Sequence, residues 1–415
     1  MEFKIGFGKK TVTFNIEKEN LLGEILPNKL EIGLMNEEEV KRAMENPIGS
    51  KKLKEIAVTG KKIVIITSDI TRPMPSKMVL PIVINELSEV GVKARDITIV
   101  LALGSHRSHT EEEKKYLLGE EIYNKIRCVD SDSNDFKHLG FTKRGTPIDV
   151  FTEVAEADMR ICLGNIEYHY FAGYSGGAKA IMPGVSTRAA IQANHSRMVE
   201  AEAKTGNLNT NPVRLDLEEA IETISIDFIV NVVLDKKKQI IKAVAGHFIK
   251  AHREGCKFLD TANKIEIKNK ADIVITTPGG YPKDINMYQA QKALDNAKHA
   301  VKKGGIIILV ASCIEGLGEK VFERWMLGAS SPESLIIDIQ KNFELGGHKA
   351  AAIAMVLRDS KIFLVSEMEA NFVRKIFMEP FSEVQSAVDK AIKEQGTDAK
   401  VLIMPYGGST LPIVK

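Results

Sequence analysis

Short, nearly continuous apolar runs alternate with helical patterns along most of the chain. The runs are rich in valine, isoleucine and leucine, and each is followed by a glycine or polar turn: KKIVIITSDI, DITIVLALGSH, DMRICLGNIEYH, ADIVITTPGG, GGIIILVASC, KIFLVSE and KVLIMPYGG. Strands that are apolar on both faces and separated by helices are typical of parallel sheets covered on both sides. The sequence therefore predicts an α/β fold with mostly parallel sheets flanked by helices.

One segment departs from this alternation. In DFIVNVVLDKKKQIIKAVAG two apolar runs flank a charged turn, which predicts a β-hairpin and hence one mixed sheet. The polar stretch ANKIEIKNK precedes a fresh strand at Ala271, and a length of 415 residues suits two domains. We expect an N-terminal domain over 1–267 and a C-terminal α/β domain over 268–415, with the last strand able to return to the N-terminal domain. We expect the active site in the cleft between them.

The composition is that of a globular enzyme and disfavours several other classes. The formal net charge is +2 and the lysines are scattered, which argues against nucleic acid as a partner. The apolar runs are far shorter than the roughly 18 to 20 residues of a membrane span, and the chain opens without a secretory signal, so we expect a cytoplasmic protein with no membrane partner. The four cysteines are widely separated and form no CxxC pair, which gives no indication of disulfides or a thiolate zinc site.

Polar residues cluster where predicted strands end, which is where open α/β sheets bind ligands. Asp69 and Arg72 lie in SDITRPMP, where two prolines restrict the loop and the arginine could grip a carboxylate or phosphate. In GSHRSHTEEEKK, Thr110 and Glu113 predict a capping box. His106 then precedes a helix N-terminus, which favours a neutral, proton-accepting imidazole. A solvated loop histidine and a metal ligand are the alternatives.

The stretch HYFAGYSGGAKAIMPG resembles a phosphate loop but fails its pattern. Counted from Gly173, Ala178 stands at the second glycine position, and Ala180 stands where Ser or Thr would hold magnesium. What remains is a turn whose backbone can approach an anion closely, followed by Lys179. That lysine can be a point charge or, when desolvated, an amine that bonds covalently to a cofactor. The turn consists of Ser175, Gly176 and Gly177.

Two more histidines and one helix complete the candidates. His169 is flanked by aromatic residues, which predicts a desolvated imidazole with a lowered pKa, suited to acid–base work. His195 falls inside a predicted helix and is stiff enough to ligate a metal, although a core histidine is the plainer reading. The helix in DINMYQAQKA carries a hydroxyl, an amide and an ammonium group that together could bind a hydroxy-carboxylate, although a solvated helix face has the same pattern. These groups belong to Tyr288, Gln289 and Lys292.

Taken in order, these stretches resemble the nickel-dependent lactate racemase family. The resemblance covers nearly the whole chain, from NPIGSKKLKEIA through SDITRPMP, ALGSHRSHT, HYFAGYSGGAKAIMPG, ANHS, KTGNLNTNP and GGYPKDINMYQAQKA to the final LPIVK. It implies an isomerase, a racemase or epimerase that inverts C2 of a 2-hydroxy acid by hydride transfer to and from a tethered nickel-pincer nucleotide. The cofactor is pyridinium-3,5-bisthiocarboxylic acid mononucleotide nickel, which cofactor-biosynthesis proteins supply in trans.

The same resemblance implies a role for each candidate residue. Lys179 would bind the cofactor covalently through a thioamide, and His195 would be the protein's ligand to nickel. His106 and His169 would be the two acid–base residues, one for each enantiomer. The other cofactor-binding candidates are Asp69, Ser175, Gly176, Gly177 and Tyr288. The substrate-binding candidates are Arg72, Gln289, Lys292 and His348.

The sequence departs from the lactate enzymes of that family in a way that bears on the substrate. Those enzymes resemble one another in carrying a tryptophan well past the Tyr-Gln-Lys helix, whereas His348 stands at the matching position here and the only tryptophan, Trp325, lies elsewhere. Ala178 also replaces a basic residue before the anchoring lysine. A histidine in place of a bulky aromatic side chain predicts a roomier, more polar pocket and so a substrate larger or more polar than lactate. Lactate racemase proper, a zinc-dependent hydrolase using the three histidines, and a non-catalytic cofactor carrier are the alternatives.

Overall fold

A computed structural model describes residues 1–415, which divide into two compact units. The first unit comprises residues 1–29 and 261–415, and the second comprises residues 30–260. This division differs from the expected one, because the first 29 residues pack with the C-terminal part of the chain. None of the helices combines the length and apolar content that crossing a membrane requires.

Three strands begin the chain and belong to the first unit: β1 (Glu2–Phe7), β2 (Lys10–Asn15) and β3 (Leu21–Glu24). The first two pair as an antiparallel hairpin, with Phe14 buried in the core of this unit.

The second unit contains nine helices and ten strands. The helices are α1 (Asn36–Glu45), α2 (Leu53–Ile56), α3 (Ser76–Glu89), α4 (Glu111–Leu118), α5 (Glu120–Lys125), α6 (Thr152–Ala155), α7 (Arg188–His195), α8 (Pro212–Ile224) and α9 (Lys250–Asn263), the last of which runs into the first unit. The strands are β4 (Ile63–Ser68), β5 (Ile97–Ala102), β6 (Arg127–Asp130), β7 (Phe136–Phe141), β8 (Pro147–Phe151), β9 (Met159–Asn165), β10 (Tyr168–His169), β11 (Gly173–Tyr174), β12 (Phe228–Leu234) and β13 (Ile240–Gly246).

The main sheet of the second unit has the strand order β13-β12-β9-β4-β5-β6. All its neighbours pair in parallel except β12 and β13, which form an antiparallel hairpin. The predicted hairpin and the mixed sheet are therefore confirmed. Side chains on both faces of the central strands are buried, as Ile65 and Ile66 show at 0% exposure. Fully burying one such side chain stabilises the fold by about 1.5–3 kcal/mol, which explains why these strands are apolar throughout.

The remaining elements complete the first unit. The strands are β14 (Lys264–Ile267), β15 (Ala271–Thr276), β16 (Val301–Val310), β17 (Lys361–Val365), β18 (Glu379–Phe381), β19 (Val401–Met404) and β20 (Leu411–Val414). The helices are α10 (Met287–Ala297), α11 (Lys320–Gly328), α12 (Pro332–Lys341), α13 (Gly347–Asp359), α14 (Ala370–Lys375) and α15 (Val384–Gln395).

The sheet of the first unit has the order β18-β17-β16-β15-β19-β3 and is parallel throughout. Its edge strand β3 comes from the start of the chain, which is why residues 1–29 belong to this unit. The last strand, β20, pairs with β14, and both lie within the first unit. Two α/β units with mostly parallel sheets confirm the predicted fold class.

Candidate active site

The candidate residues of the second unit follow the carboxyl ends of neighbouring strands. Asp69 comes directly after β4, and His106 lies in the loop after β5, whose Ala102 is paired with Ser68 at the end of β4. His169 lies on β10, just beyond β9, and β9 is the other neighbour of β4. Adjacent parallel strands thus deliver these side chains to one edge of the sheet.

Asp69 is bonded to His106. Its Oδ2 lies 2.7 Å from Nδ1 of His106, and Thr71 donates its hydroxyl to both carboxylate oxygens at 3.0 and 2.9 Å. Burial of Asp69 opposes ionisation, but the hydrogen bond to His106 and the charge of Arg72 outweigh it, so the pKa of Asp69 is lowered. An ionised carboxylate can only accept, so the proton lies on Nδ1 of His106 and the Nε2 lone pair can accept a proton.

His109 has a structural role. Its Nε2 accepts from the amide of Ile70 at 3.0 Å, so its Nδ1 carries the proton and donates to Asp130 at 2.6 Å. Both nitrogens are therefore used in anchoring the loop that carries Asp69. The capping box predicted after His109 is confirmed, since the Thr110 hydroxyl accepts from the amide of Glu113 and the Glu113 carboxylate accepts from the amide of Thr110.

The ring of Phe171 gathers three of the predicted site residues. This ring is 2% exposed. The ring centroid of His169 lies 4.5 Å from its centroid, that of His195 lies 4.9 Å away, and Nζ of Lys179 lies 5.8 Å away. A base, an amine and a second imidazole thus surround one apolar ring.

Burial changes the charge state of this cluster. The pKa of His169 is well below its usual value because of burial and then the charges of Lys179 and His195. The pKa of Lys179 is also well below its usual value, because of burial and then the charges of Arg214 and Arg72. The imidazole is accordingly neutral near pH 7, and its Nδ1 accepts from the amide of Ala172 at 3.3 Å, which places the proton on Nε2. The lowered pKa of Lys179 favours the deprotonated amine, which is the nucleophilic form.

Two buried side chains hold the turn before Lys179 from behind. Arg214 is 0% exposed and donates to the backbone carbonyls of residues 172, 174 and 176. His252, also 0% exposed, lies with its Nε2 at 2.7 Å from the carbonyl oxygen of residue 175. Leaving a buried carbonyl unpaired costs about 1–3 kcal/mol, so these contacts fix the backbone that presents the lysine.

The glycine turn itself serves packing. The amide of Ser175 donates to the carbonyl of Glu167 at 2.9 Å, and that of Gly177 donates to Oδ1 of Asn231 at 2.8 Å. A Cβ at Gly176 would lie 2.8 Å from the same Asn231 oxygen. The turn was predicted to offer its backbone to an anion, but the amides of Ser175 and Gly177 are already used within the protein. The glycines allow close approach of the neighbouring chain instead.

His195 ends helix α7 and is 6% exposed. The helix is capped by Thr187, whose hydroxyl accepts from the amide of Ala190, whereas the hydroxyl of the preceding Ser186 donates to the carbonyl of Ile181. No group of three His, Cys, Asp or Glu side chains is arranged to hold a metal ion. A zinc hydrolase would need such a set. One imidazole and a lysine with a lowered pKa around one ring fit a metal that enters within an organic group, as the resemblance implies.

The first unit carries the remaining candidates on and near α10. Asn286 caps this helix by accepting from the amide of Gln289 at 3.1 Å, and the nearby Asp284 accepts from the amides of residues 8 and 312. Gln289 and Lys292 are exposed. Tyr288 is half-buried, and Nζ of Lys349 lies 3.9 Å from its ring centroid.

His348 is 8% exposed at the start of α13, where its Nδ1 accepts from the amide of Gly346 at 2.9 Å. Trp325 is distant in sequence but packs against the same segment: a Cβ at Gly347 would lie 2.4 Å from the indole, whose Nε1 donates to Glu344 at 2.6 Å. An aromatic side chain, Trp325 of α11, therefore still packs against the segment that carries His348.

The sequence does not mark Arg214 or His252 as parts of the site, and it marks Phe171 only as one of the aromatic neighbours of His169. Arg214 stands in an ordinary amphipathic helix pattern, and nothing local distinguishes it from a surface arginine. The bond between Asp69 and His106 could have been anticipated, because both residues follow strands that are consecutive in the chain and parallel.

Known proteins match the chain over its full length. Residues 7–206 match the lactate racemase N-terminal domain and residues 266–411 match the lactate racemase C-terminal domain. A lactate racemase of Thermoanaerobacterium thermosaccharolyticum is 35% identical over 421 residues, covering 98% of each chain. A lactate racemase of Lactiplantibacillus plantarum is 35% identical over 413 residues, covering 97% of each.

Solved structures give the same result. The lactate racemase apoprotein from Thermoanaerobacterium thermosaccharolyticum superposes with a TM-score of 0.89 at 34% identity, over 99% of this chain and 100% of that one. A Thermotoga maritima crystal structure, 18% identical, shares the fold with a TM-score of 0.64, over 93% of this chain and 100% of that one.

The α/β fold and these matches together define an isomerase of the racemase class. The chain belongs to the lactate racemase family.

Proposed function

We propose that the chain inverts the C2 stereocentre of a 2-hydroxy acid with a nickel-pincer nucleotide bound covalently to Lys179 and ligated through His195. The observation that supports this is the convergence of His169, Lys179 and His195 on the ring of Phe171. When bound, the group supplies an acceptor and donor for the hydride on the substrate's C2. Cofactor-biosynthesis proteins would provide it in trans.

The two acid–base histidines would move the hydroxyl proton. His106 presents the Nε2 lone pair because Asp69 holds the proton on Nδ1, so it can take the proton from a substrate hydroxyl. His169 is neutral near pH 7, and opening the long 3.3 Å contact between its Nδ1 and the amide of Ala172 would leave a lone pair to do the same for the opposite enantiomer. After one histidine accepts the hydroxyl proton, the other, when protonated, would donate a proton to the carbonyl oxygen of the flat keto acid from the opposite side. Inversion thus requires both residues.

Substrate orientation falls to groups that suit a hydroxy-carboxylate. Arg72 is exposed beside Asp69 and can grip a carboxylate with two parallel hydrogen bonds. Gln289 and Lys292 are exposed on one helix and can bind a hydroxyl and a second oxygen. Tyr288 lies beside them and would contact the cofactor. Fixing the substrate in this way also keeps the keto acid from escaping.

We further propose that the preferred substrate is larger or more polar than lactate, such as a sugar acid or a hydroxy-dicarboxylate. The support is His348, an imidazole at the position that, by the family resemblance, holds a tryptophan in the lactate enzymes. Trp325 occupies space beside the same segment, so any extra room would be limited. Lactate, which the names of the relatives state, is therefore the reference substrate in every assay.

An isotope experiment tests the mechanism. The enzyme, purified from a host that makes the cofactor, is given 2-hydroxy acids deuterated at C2 in ordinary water, and both enantiomers are analysed by chiral chromatography with mass detection. Hydride transfer predicts that the inverted product keeps its deuterium. Loss of the label to water would instead indicate proton abstraction at C2 and would contradict the proposal. Conversion of lactate far faster than of any polar acid would reject the substrate assignment alone.

The variants His106→Ala and His169→Ala distinguish a racemase from a non-catalytic cofactor carrier. Neither residue is assigned to holding the cofactor, so we expect each variant to keep the Lys179 adduct and lose inversion. Full inversion by both variants would exclude the acid–base roles, whereas the absence of inversion from the unaltered, loaded protein would favour a carrier.

A further inference from the structure

The tautomer of His195 can be identified from the neighbouring Asn194. Nδ1 of His195 lies 2.9 Å from Oδ1 of Asn194, the preceding residue of α7. Asn194 is 0% exposed. An asparagine presents either an acceptor or a donor to an imidazole, so the orientation of its amide decides the tautomer of His195.

The amide orientation of Asn194 is fixed by two acceptors. Its Nδ2 donates to Oδ2 of Asp216 at 2.8 Å and to the carbonyl of Val213 at 3.1 Å, which uses both N–H groups. Turning the amide over would place its oxygen against a carboxylate and a carbonyl, two acceptors without a proton to share. Oδ1 therefore faces His195 and accepts from Nδ1–H.

Asp216 is itself held in place. It is 0% exposed, and its two oxygens accept the hydroxyl protons of Thr142 and Thr146, each at 2.6 Å. The carboxylate thus receives three neutral donors from α7 and from the turn between β7 and β8. A continuous buried hydrogen-bond network thus joins the side chains of Thr142, Thr146, Asp216, Asn194 and His195.

We propose that Asn194 and Asp216 are positioning residues that keep the proton on Nδ1 of His195 and so reserve the Nε2 lone pair for the metal. The inference rests on the proposed role of His195 as nickel ligand. Ligating histidines commonly donate their second nitrogen to such a partner, and removing the partner typically weakens metal binding about 10- to 100-fold.

The test compares nickel retention with cofactor retention. Holoenzyme carrying Asn194→Ala is exposed to a chelator, and nickel per chain and the mass of the Lys179 peptide are followed over time. We expect the adduct to stay while nickel is lost about 10- to 100-fold faster than from the unaltered enzyme. Asp216→Asn should give a smaller change in the same direction. Ser196→Ala is the matched control, because the Ser196 hydroxyl bonds only to the carbonyl of Ala193.

A second measurement needs no metal and does not depend on how Asn194→Ala folds. Nitrogen-15 NMR of the unaltered apoprotein, with the His195 signals assigned by comparison with His195→Gln, should show the proton on Nδ1. A proton on Nε2, or nickel loss from Asn194→Ala no faster than from the control, would overturn the inference. Loss of the adduct together with nickel would also overturn it, since Asn194 would then act on cofactor attachment. Failure of the proposed function is distinct, because the unaltered protein would then carry no adduct.

Discussion

The substitution Asp69→Asn tests how the structure prepares His106 as a base. The sequence placed Asp69 among the cofactor-binding residues, whereas the structure bonds it to Nδ1 of His106 at 2.7 Å. A hydrogen bond to a charged group contributes about 1.5–3 kcal/mol, which corresponds to roughly 10- to 150-fold in rate if it is lost only in the transition state.

Asparagine would also change the tautomer. Thr71 donates to both oxygens of Asp69, so the amide oxygen of the variant would satisfy Thr71 and the amide nitrogen would face His106. An Nδ2–H donor at that place puts the imidazole proton on Nε2, where no lone pair remains to accept the substrate proton. We therefore expect the loss of turnover to reach or exceed the upper end of that range.

The assay is the rate of inversion of the best 2-hydroxy acid by the loaded enzyme, with adduct and nickel content measured on the same sample. We expect a large fall in turnover with unchanged loading. Thr71→Val is the control, since it removes one neutral donor and should cost only a few-fold. Normal turnover with full loading would refute the reasoning, and loss of the adduct would return Asp69 to the cofactor site.

Three further outcomes follow from the same contacts. Lys179→Met should stabilise the apoprotein against urea at neutral pH, because the lowered pKa of the native amine means that the unfolded chain binds this proton more tightly than the native chain does. The gain in free energy of unfolding should vanish as pH rises past the ordinary lysine pKa, and a gain independent of pH would contradict this. Arg214→Met should lower the free energy of unfolding by about 1–3 kcal/mol, because the buried carbonyl of residue 174 loses its donor, whereas those of residues 172 and 176 also accept from backbone amides. Arg214→Lys should be intermediate, and a loss well below about 1 kcal/mol would contradict the role of Arg214 in holding this turn. His348→Trp should shift the ratio of kcat/KM for polar acids over lactate by about tenfold toward lactate, and an unchanged ratio would remove His348 from the substrate site.

Much of the fold could be predicted because it depends on local patterns. Apolar strands, the hairpin of β12 and β13 and the capping box at Thr110 each follow from a few neighbouring residues. The placement of residues 1–29 could not be predicted, because the pairing of β3 with β19 joins distant parts of the chain and leaves no local sign. The same holds for Trp325, whose approach to Gly347 depends on how two helices pack.

The candidate site divides along the same line. The residues proposed to carry chemistry, such as His169 and Lys179, can be predicted from their neighbours in sequence. The residues proposed to hold the backbone before Lys179 or to fix the tautomer of His195 come from α7 and α8 and look like ordinary helix positions in the sequence. They include Arg214, Asn194 and Asp216. Their roles appear only in three dimensions, where burial and hydrogen-bond geometry determine which atom carries a proton.

The central claim is that Lys179 carries a nickel-bearing organic group. Protein purified from its native host should be analysed by intact mass, peptide mapping and metal content, with Lys179→Ala as the control. We predict an adduct of a few hundred daltons on the Lys179 peptide with equimolar nickel, both absent from the control. Unmodified Lys179 in an active preparation would contradict the account.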